Sequence, residues 1–219
     1  SLRAGSRAAL RGRAALLELL GPMLSRGTRL HTYEQLNDAL DDLDTALDVP
    51  EASILGGHGL TSNFALETTR QNLPAVLRLL TEILRQPSFP AGQLDIVRKE
   101  LTTDLEASLQ QPISLAAVAL MRRLFPYASD DMLYHPTLPE RIARLATVRA
   151  DDLQAFHREY FGAQEGELSL VGDFDPVETR AHIDSLLGGF RAQKPYERPT
   201  AVHRPHDGGE EIIRVPDKQ

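Results

Sequence analysis

Histidines, carboxylates and hydroxyls are the side chains here that could do chemistry, and their spacing decides how much they can do. Zinc held on a helix needs imidazole nitrogens one turn apart, with a glutamate between them to activate the bound water. The chain has seven histidines, His31, His58, His135, His157, His182, His203 and His206, and no two of them stand four residues apart. The segment His31–Gln35 (HTYEQ) comes within one residue of a zinc motif, yet Gln35 occupies the second ligand position. Thr32 with Gln35 explains the segment better, as the capped start of a helix. His203 and His206 lie in a Pro-rich stretch without a rigid scaffold, which suggests adventitious metal binding at most. The Gly56–Gly59 word GGHG lacks the Lys and following helix of a phosphate loop, and predicts a hairpin turn. Asp41, Asp42, Asp44 and Asp48 miss the alternation and central Gly of a calcium loop and predict a solvated helix face. Asp173 and Asp175 predict a turn and an N-cap. No Ser, His and acid stand at a spacing that marks a triad. With no cysteine, thiolate sites and disulfides are excluded.

The elements that carry these residues can be placed from pattern alone. Capping boxes are predicted at Thr32 with Gln35, Thr137 with Glu140 and Asp175 with Glu178. Pro90 and Pro176 stand where a first-turn proline is tolerated. Leu73, Val76, Leu77, Leu80, Ile83 and Leu84 form one apolar stripe at helical spacing, and Leu94, Val97, Leu101, Leu105 and Leu109 form a second. Between Thr45 and Thr68 the period changes to two. Leu60, Phe64 and Leu66 then share one face, with Thr61, Asn63, Ala65 and Glu67 on the other, in a hairpin around GGHG. Runs of helices with few strands predict an α+β fold, helices packed on one face of a mainly antiparallel sheet.

The order of words carries a resemblance. The segment Leu16–Thr28, LLELLGPMLSRGT, is similar to the ligand helix of the insulinase-like M16 zinc metallopeptidases, in which His-x-x-Glu-His runs into a Gly-Thr turn. Sliding that pattern back from Gly27–Thr28 places its three reactive positions on Glu18, Gly21 and Pro22, none of which can do the family's chemistry. A helix over Leu30–Leu47 follows, then Glu67–Pro90, Gln93–Glu106, Leu138–Pro176 and a helix closed by LLGGF, the order of one M16 repeat of about 200 residues. The variant it most resembles is the third repeat of four-repeat members, in which only the first repeat carries zinc. The resemblance implies a non-catalytic wall of a clamshell chamber, with other M16 repeats as partners, peptide as substrate, and zinc held by a separate repeat. Glu100 falls within a residue or two of the family's third ligand, and a lone carboxylate there is expected to be a surface or ion-paired Glu. No catalytic, cofactor or metal residue is therefore expected in this chain. Alternative readings are a structural or assembly subunit without proteolytic role, and the obligate inactive partner of a separate active chain. Periplasmic export is implied by the resemblance only.

Composition fits a folded domain. The chain has 219 residues, 42% hydrophobic and 25% charged, enough for one sizeable core. A formal charge of -7 argues against nucleic-acid or anionic-membrane binding. No apolar run approaches the roughly 18 residues of a membrane-crossing helix. The chain opens on SLRAG and closes on RVPDKQ just after Ile212–Ile213, which predicts an excised segment. Residues 1–194 then form a repeat truncated at its N-terminal strand, and 195–219 a linker and the next repeat's first strand. Such a cut is expected to leave a sheet edge open, with Leu60–Thr68 as the candidate edge and Glu211–Val215 as a tail that could close it.

Overall fold

The computed structural model describes residues 1–48, 60–198, 200, 208–213 and 215. In chain order the elements are β1 (Leu2–Ala4), α1 (Ala14–Leu24), α2 (Tyr33–Asp42), β2 (Ala46–Asp48), β3 (Leu60–Ser62) and β4 (Ala65–Glu67). Six further helices follow: α3 (Leu73–Arg85), α4 (Ala91–Leu109), α5 (Pro112–Leu124), α6 (Leu138–Leu145), α7 (Ala150–Tyr160) and α8 (Pro176–Leu187). The class is α+β, with helices dominant.

Helix α1 is the centre of the core because its sequence is apolar almost all round, the pattern of a helix meant to be enclosed. Leu17, Leu19, Leu20, Met23 and Leu24 are fully buried. Helices α4, α6 and α7 pack around it, and α3 packs on α8 to one side. The two predicted stripes supply the inner faces of α3 and α4, with Val76, Leu77, Ile83 and Leu84 buried on one and Leu94, Val97 and Leu105 on the other.

Capping follows the sequence closely. Thr32 with Gln35 and Thr137 with Glu140 form reciprocal capping boxes. Asp175 accepts from the N–H groups of Val177 and Glu178 without a return bond from Glu178. Pro176 takes the first helical position, whereas Pro90 is the N-cap itself.

Two expectations are corrected. The helix expected over Leu30–Leu47 runs only from Tyr33 to Asp42, and Leu47 lies in β2. The chain turns at Asp44, which takes a left-handed φ of 46°. The Leu43 carbonyl before it is satisfied by Asn72 Nδ2 at 2.7 Å and Thr45 Oγ1 at 2.9 Å, replacing the next helical amide. Asp44 and Asp48 therefore leave the acidic helix face on which Asp41 and Asp42 remain. The second correction concerns the sheet, which is two separate antiparallel pairs, β1 with β3 and β2 with β4. Leu60–Leu66 is thus not one strand: β3 crosses to β1 in the register Leu2↔Ser62, while β4 turns back on β2 in the register Leu47↔Leu66. The GGHG word, His58, His203 and His206 lie outside the described residues.

Candidate functional site

The Gly27–Thr28 word is a structural clamp. Gly27 has φ of 138°, and a Cβ there would stand 3.1 Å from Ser88 Oγ and 3.3 Å from Pro90 Cγ, so only glycine fits. Its carbonyl accepts from the Ser88 N–H at 3.0 Å, and the Arg29 N–H donates to the Gln86 carbonyl at 3.0 Å. Thr28 is buried, and its hydroxyl donates to Glu82 while accepting from the N–H groups of Leu30 at 3.1 Å and His31 at 2.9 Å. His31 Nδ1 meets the same Glu82 carboxylate at 2.8 Å. The turn thereby ties the end of α1 to the end of α3 and the start of α4. Glu82 escaped the sequence reading because it sits mid-helix, with no local signal that its partners come from a distant turn.

Glu18, Gly21 and Pro22 all lie on α1. Glu18 accepts two bonds from Arg141 of α6, at 2.7 and 3.2 Å, with its side chain 15% exposed. Gly21 is buried and offers no side chain. Pro22 has no N–H to give to the Glu18 carbonyl one turn back. Glu100, on α4, pairs with Arg26 at 2.9 Å, and Arg26 also lies over the Tyr33 ring at 4.8 Å. Each of the two carboxylates is engaged by its own arginine instead of converging on a common point. Among the described residues no three His, Cys, Asp or Glu side chains group where they could hold a metal ion. The side chains on α1 do not fit zinc, which needs unprotonated nitrogens where a bonded Glu and a Pro now stand.

The remaining candidate residues are occupied locally. Asp173 pairs with Arg70 at 2.8 Å. The Glu140 carboxyl lies below its usual range, first because the Thr137 N–H donates to it at 2.7 Å. Arg122, not its helix neighbours Arg141 and Arg144, is its ion-pair partner, at 2.9 Å. His157 is nearly buried, packed at 5.1 Å on the Phe161 ring, with Nε2 at 2.8 Å from the Leu84 carbonyl. Burial lowers its pKa, the Leu84 bond works the other way, and the positive charge of Arg29 lowers it further.

Two clefts open on the surface. The larger, of about 780 Å³, lies between α3, α8 and the 167–174 segment, and is faced by Leu73, Leu77, Leu80, Ile183 and Leu187. The smaller, of about 320 Å³, lies between the Gln86–Phe89 turn and α7. Neither was read from the sequence, since each is assembled from elements far apart in the chain.

Residues 147–219 match the family described as the Peptidase M16 inactive domain. The fold is shared with solved structures. The peptidase M16 inactive domain from Pseudomonas fluorescens superposes with a TM-score of 0.71 at 19% identity, over 91% of this chain and 47% of that one. A protease from Helicobacter pylori gives 0.73 at 14% identity, over 93% and 47%. The periplasmic protease PqqL from Escherichia coli gives 0.65 at 17% identity, over 91% of this chain and 22% of that one. The chain thus spans about half the length of the first two. No curated protein matches the sequence. The sequence match thus covers the last third of the chain, and the likeness in fold to M16 inactive domains extends over about nine-tenths of it.

Proposed function

We propose that this chain forms part of the wall of a peptide-holding chamber in an M16 zinc metallopeptidase, where a separate repeat bearing His-x-x-Glu-His holds the zinc and breaks the bond. The observation that supports this reading is the closure of α1: Glu18 is spent on Arg141, Pro22 stands where the resemblance would put the second ligand, and Glu100 is spent on Arg26. A wall contributes positioning, which can still lower a barrier by several kcal/mol when it aligns a bound chain. The proteases that share the fold are longer than this chain, which fits a division of labour between repeats.

Two measurements on the purified chain test the reading. Elemental analysis after zinc dialysis is expected to find no stoichiometric metal, and a fluorogenic peptide assay no chelator-sensitive turnover. One firmly held zinc per chain, or cleavage by the chain alone, overturns it. Glu18→His with Pro22→His is expected to leave the chain inactive, because Gly21 still lacks the water-activating carboxylate and Glu100 remains bound to Arg26. The chamber role itself is tested by adding the chain to a zinc-bearing M16 repeat from the same organism. Peptide turnover by that repeat should rise, and no change would favour an assembly role instead.

A further inference from the structure

The smaller cleft is lined by four arginines, Arg29, Arg85, Arg158 and Arg191, with no carboxylate in its lining. In a chain of formal charge -7 this concentration of one sign runs against the overall balance. Arg29, Arg158 and Arg191 form no ion pair among the described residues. The carboxylate next in sequence, Glu159, is taken by Lys194 at 2.7 Å. Arg85 is held in place: its Nη1 donates to the Leu186 carbonyl at 2.7 Å and the Gly188 carbonyl at 3.3 Å, and its guanidinium lies 5.4 Å from the centre of the Phe190 ring. His157 closes the floor among phenylalanine rings. The Phe190 ring beside Arg85, the one of the four that is partly buried, reduces screening by water at that guanidinium. The turn that forms one side is itself fixed, since buried Phe89 takes a left-handed φ of 47°, which a bulky residue adopts only when its surroundings hold it.

We propose that this cleft binds a small multivalent oxyanion of the phosphate class. Guanidinium forks match the oxygens of phosphate in paired hydrogen bonds, which a monovalent spherical anion cannot reproduce. The site is concave, and at about 320 Å³ it suits a phosphate or pyrophosphate group and not a protein face laid across it. Its lining includes none of Glu18, Gly21, Pro22, Arg26 and Glu100, so it stands or falls independently of the chamber reading.

The test titrates the full chain with inorganic pyrophosphate at low ionic strength, following the arginine Nε–H resonances, with sodium chloride at matched ionic strength as the control. Saturable binding of one pyrophosphate per chain is expected, with a Kd below about 1 mM. Arg29→Gln with Arg158→Gln, both at exposed positions, should weaken it by about tenfold or more. Arg11→Gln, which removes an exposed arginine paired with Asp130 elsewhere, should leave it unchanged. Response no greater than chloride's, binding undiminished in the double variant, or equal weakening by Arg11→Gln overturns the site. Binding of a Glu-rich peptide but not pyrophosphate would overturn it too, by assigning the arginines to a protein partner's acidic surface.

Discussion

The end of α1 and the large cleft beside α3 and α8 are built from similar apolar helices, yet one is closed and the other open. Around α1 the leucines are fully buried, and the carboxylates at its margin each meet an arginine. Between α3 and α8, Leu187 and Ile183 face a space of about 780 Å³, and the adjoining segment leaves Leu168 47% and Val171 101% exposed. What separates the regions is enclosure: α1 is covered by α4, α6 and α7, whereas α3 packs on α8, a helix with no buried residue. Helix α1 is thus the centre of the core, and the surface with open space lies elsewhere.

The comparison breaks most readily at the core. Leu17→Ala, in a fully buried site, should cost about 2–5 kcal/mol, because surrounding helices cannot collapse into the void. Leu187→Ala, at the open cleft, should cost less than about 1 kcal/mol. Denaturant unfolding of both variants checks the pair, and equal losses would mean that the cleft is filled in solution.

The two arginine pairs sharpen the same contrast at smaller scale. Glu18→Ala should cost about 1.5–3 kcal/mol, since it leaves Arg141 without a partner at a largely enclosed site. Glu100→Ala should cost below about 1 kcal/mol, because that carboxylate is 54% exposed and water replaces it. A larger loss at Glu100 than at Glu18 would reverse the assignment of which pair is structural.

How much of this was readable in the sequence depends on whether the cause was local. The stripes of α3 and α4 and the boxes at Thr32 and Thr137 are set by neighbours three or four residues away, and they appear as read. The α+β class followed from them. The early end of α2 was hidden, because it depends on Asn72 reaching the Leu43 carbonyl from a distant segment. The division of the sheet was hidden for a similar reason: alternation over Leu60–Leu66 reveals extended chain but not that β3 and β4 choose different partners. At the candidate site the sequence placed Glu18, Gly21 and Pro22 on one helix, and they lie together on α1. The arginines that engage Glu18 and Glu100 were not legible, since Arg141 and Arg26 reach them from segments far away in the chain.

A pH scan probes the boundary between the closed region and the small cleft. The folded-state pKa of His157 is lowered, chiefly by burial, so the unfolded chain takes up a proton at a higher pH than the folded one. Its contribution to stability is therefore complete above about pH 6.5 and is lost as pH falls through the lower folded value. His135, also lowered by burial, adds a loss of the same sign. Each can contribute a slope of at most about 1.4 kcal/mol per pH unit. Unfolding measured from pH 7.5 to 5 should show a shallower fall in His157→Gln than in the parent chain, and an unchanged slope would mean that His157 is solvated.

The smallest effect belongs to the open edge. The Glu167 N–H still donates to the Ser1 carbonyl at 2.9 Å, extending the contact of this segment with β1. Beyond it, no backbone partner among the described residues receives the N–H groups of Leu168 to Val171. Among the described residues Leu168–Val171 is thus an extended segment without ladder partners, while β3 and β4, each paired on one side only, are edge strands as expected of Leu60–Thr68. Ile212 and Ile213 of the C-terminal tail are exposed, at 74% and 39%. Val171→Ser should accordingly change stability by less than about 0.5 kcal/mol. Amide exchange at Leu168–Val171 should be fast in a monomeric sample, while the amides of Leu19, Leu20, Met23 and Leu24 exchange only on global unfolding. Rising protection at Leu168–Val171 with protein concentration would show the edge pairing with a second chain. Protection at those amides in dilute monomer would show instead that the tail has folded onto them, and the contrast between a closed and an open region would fail.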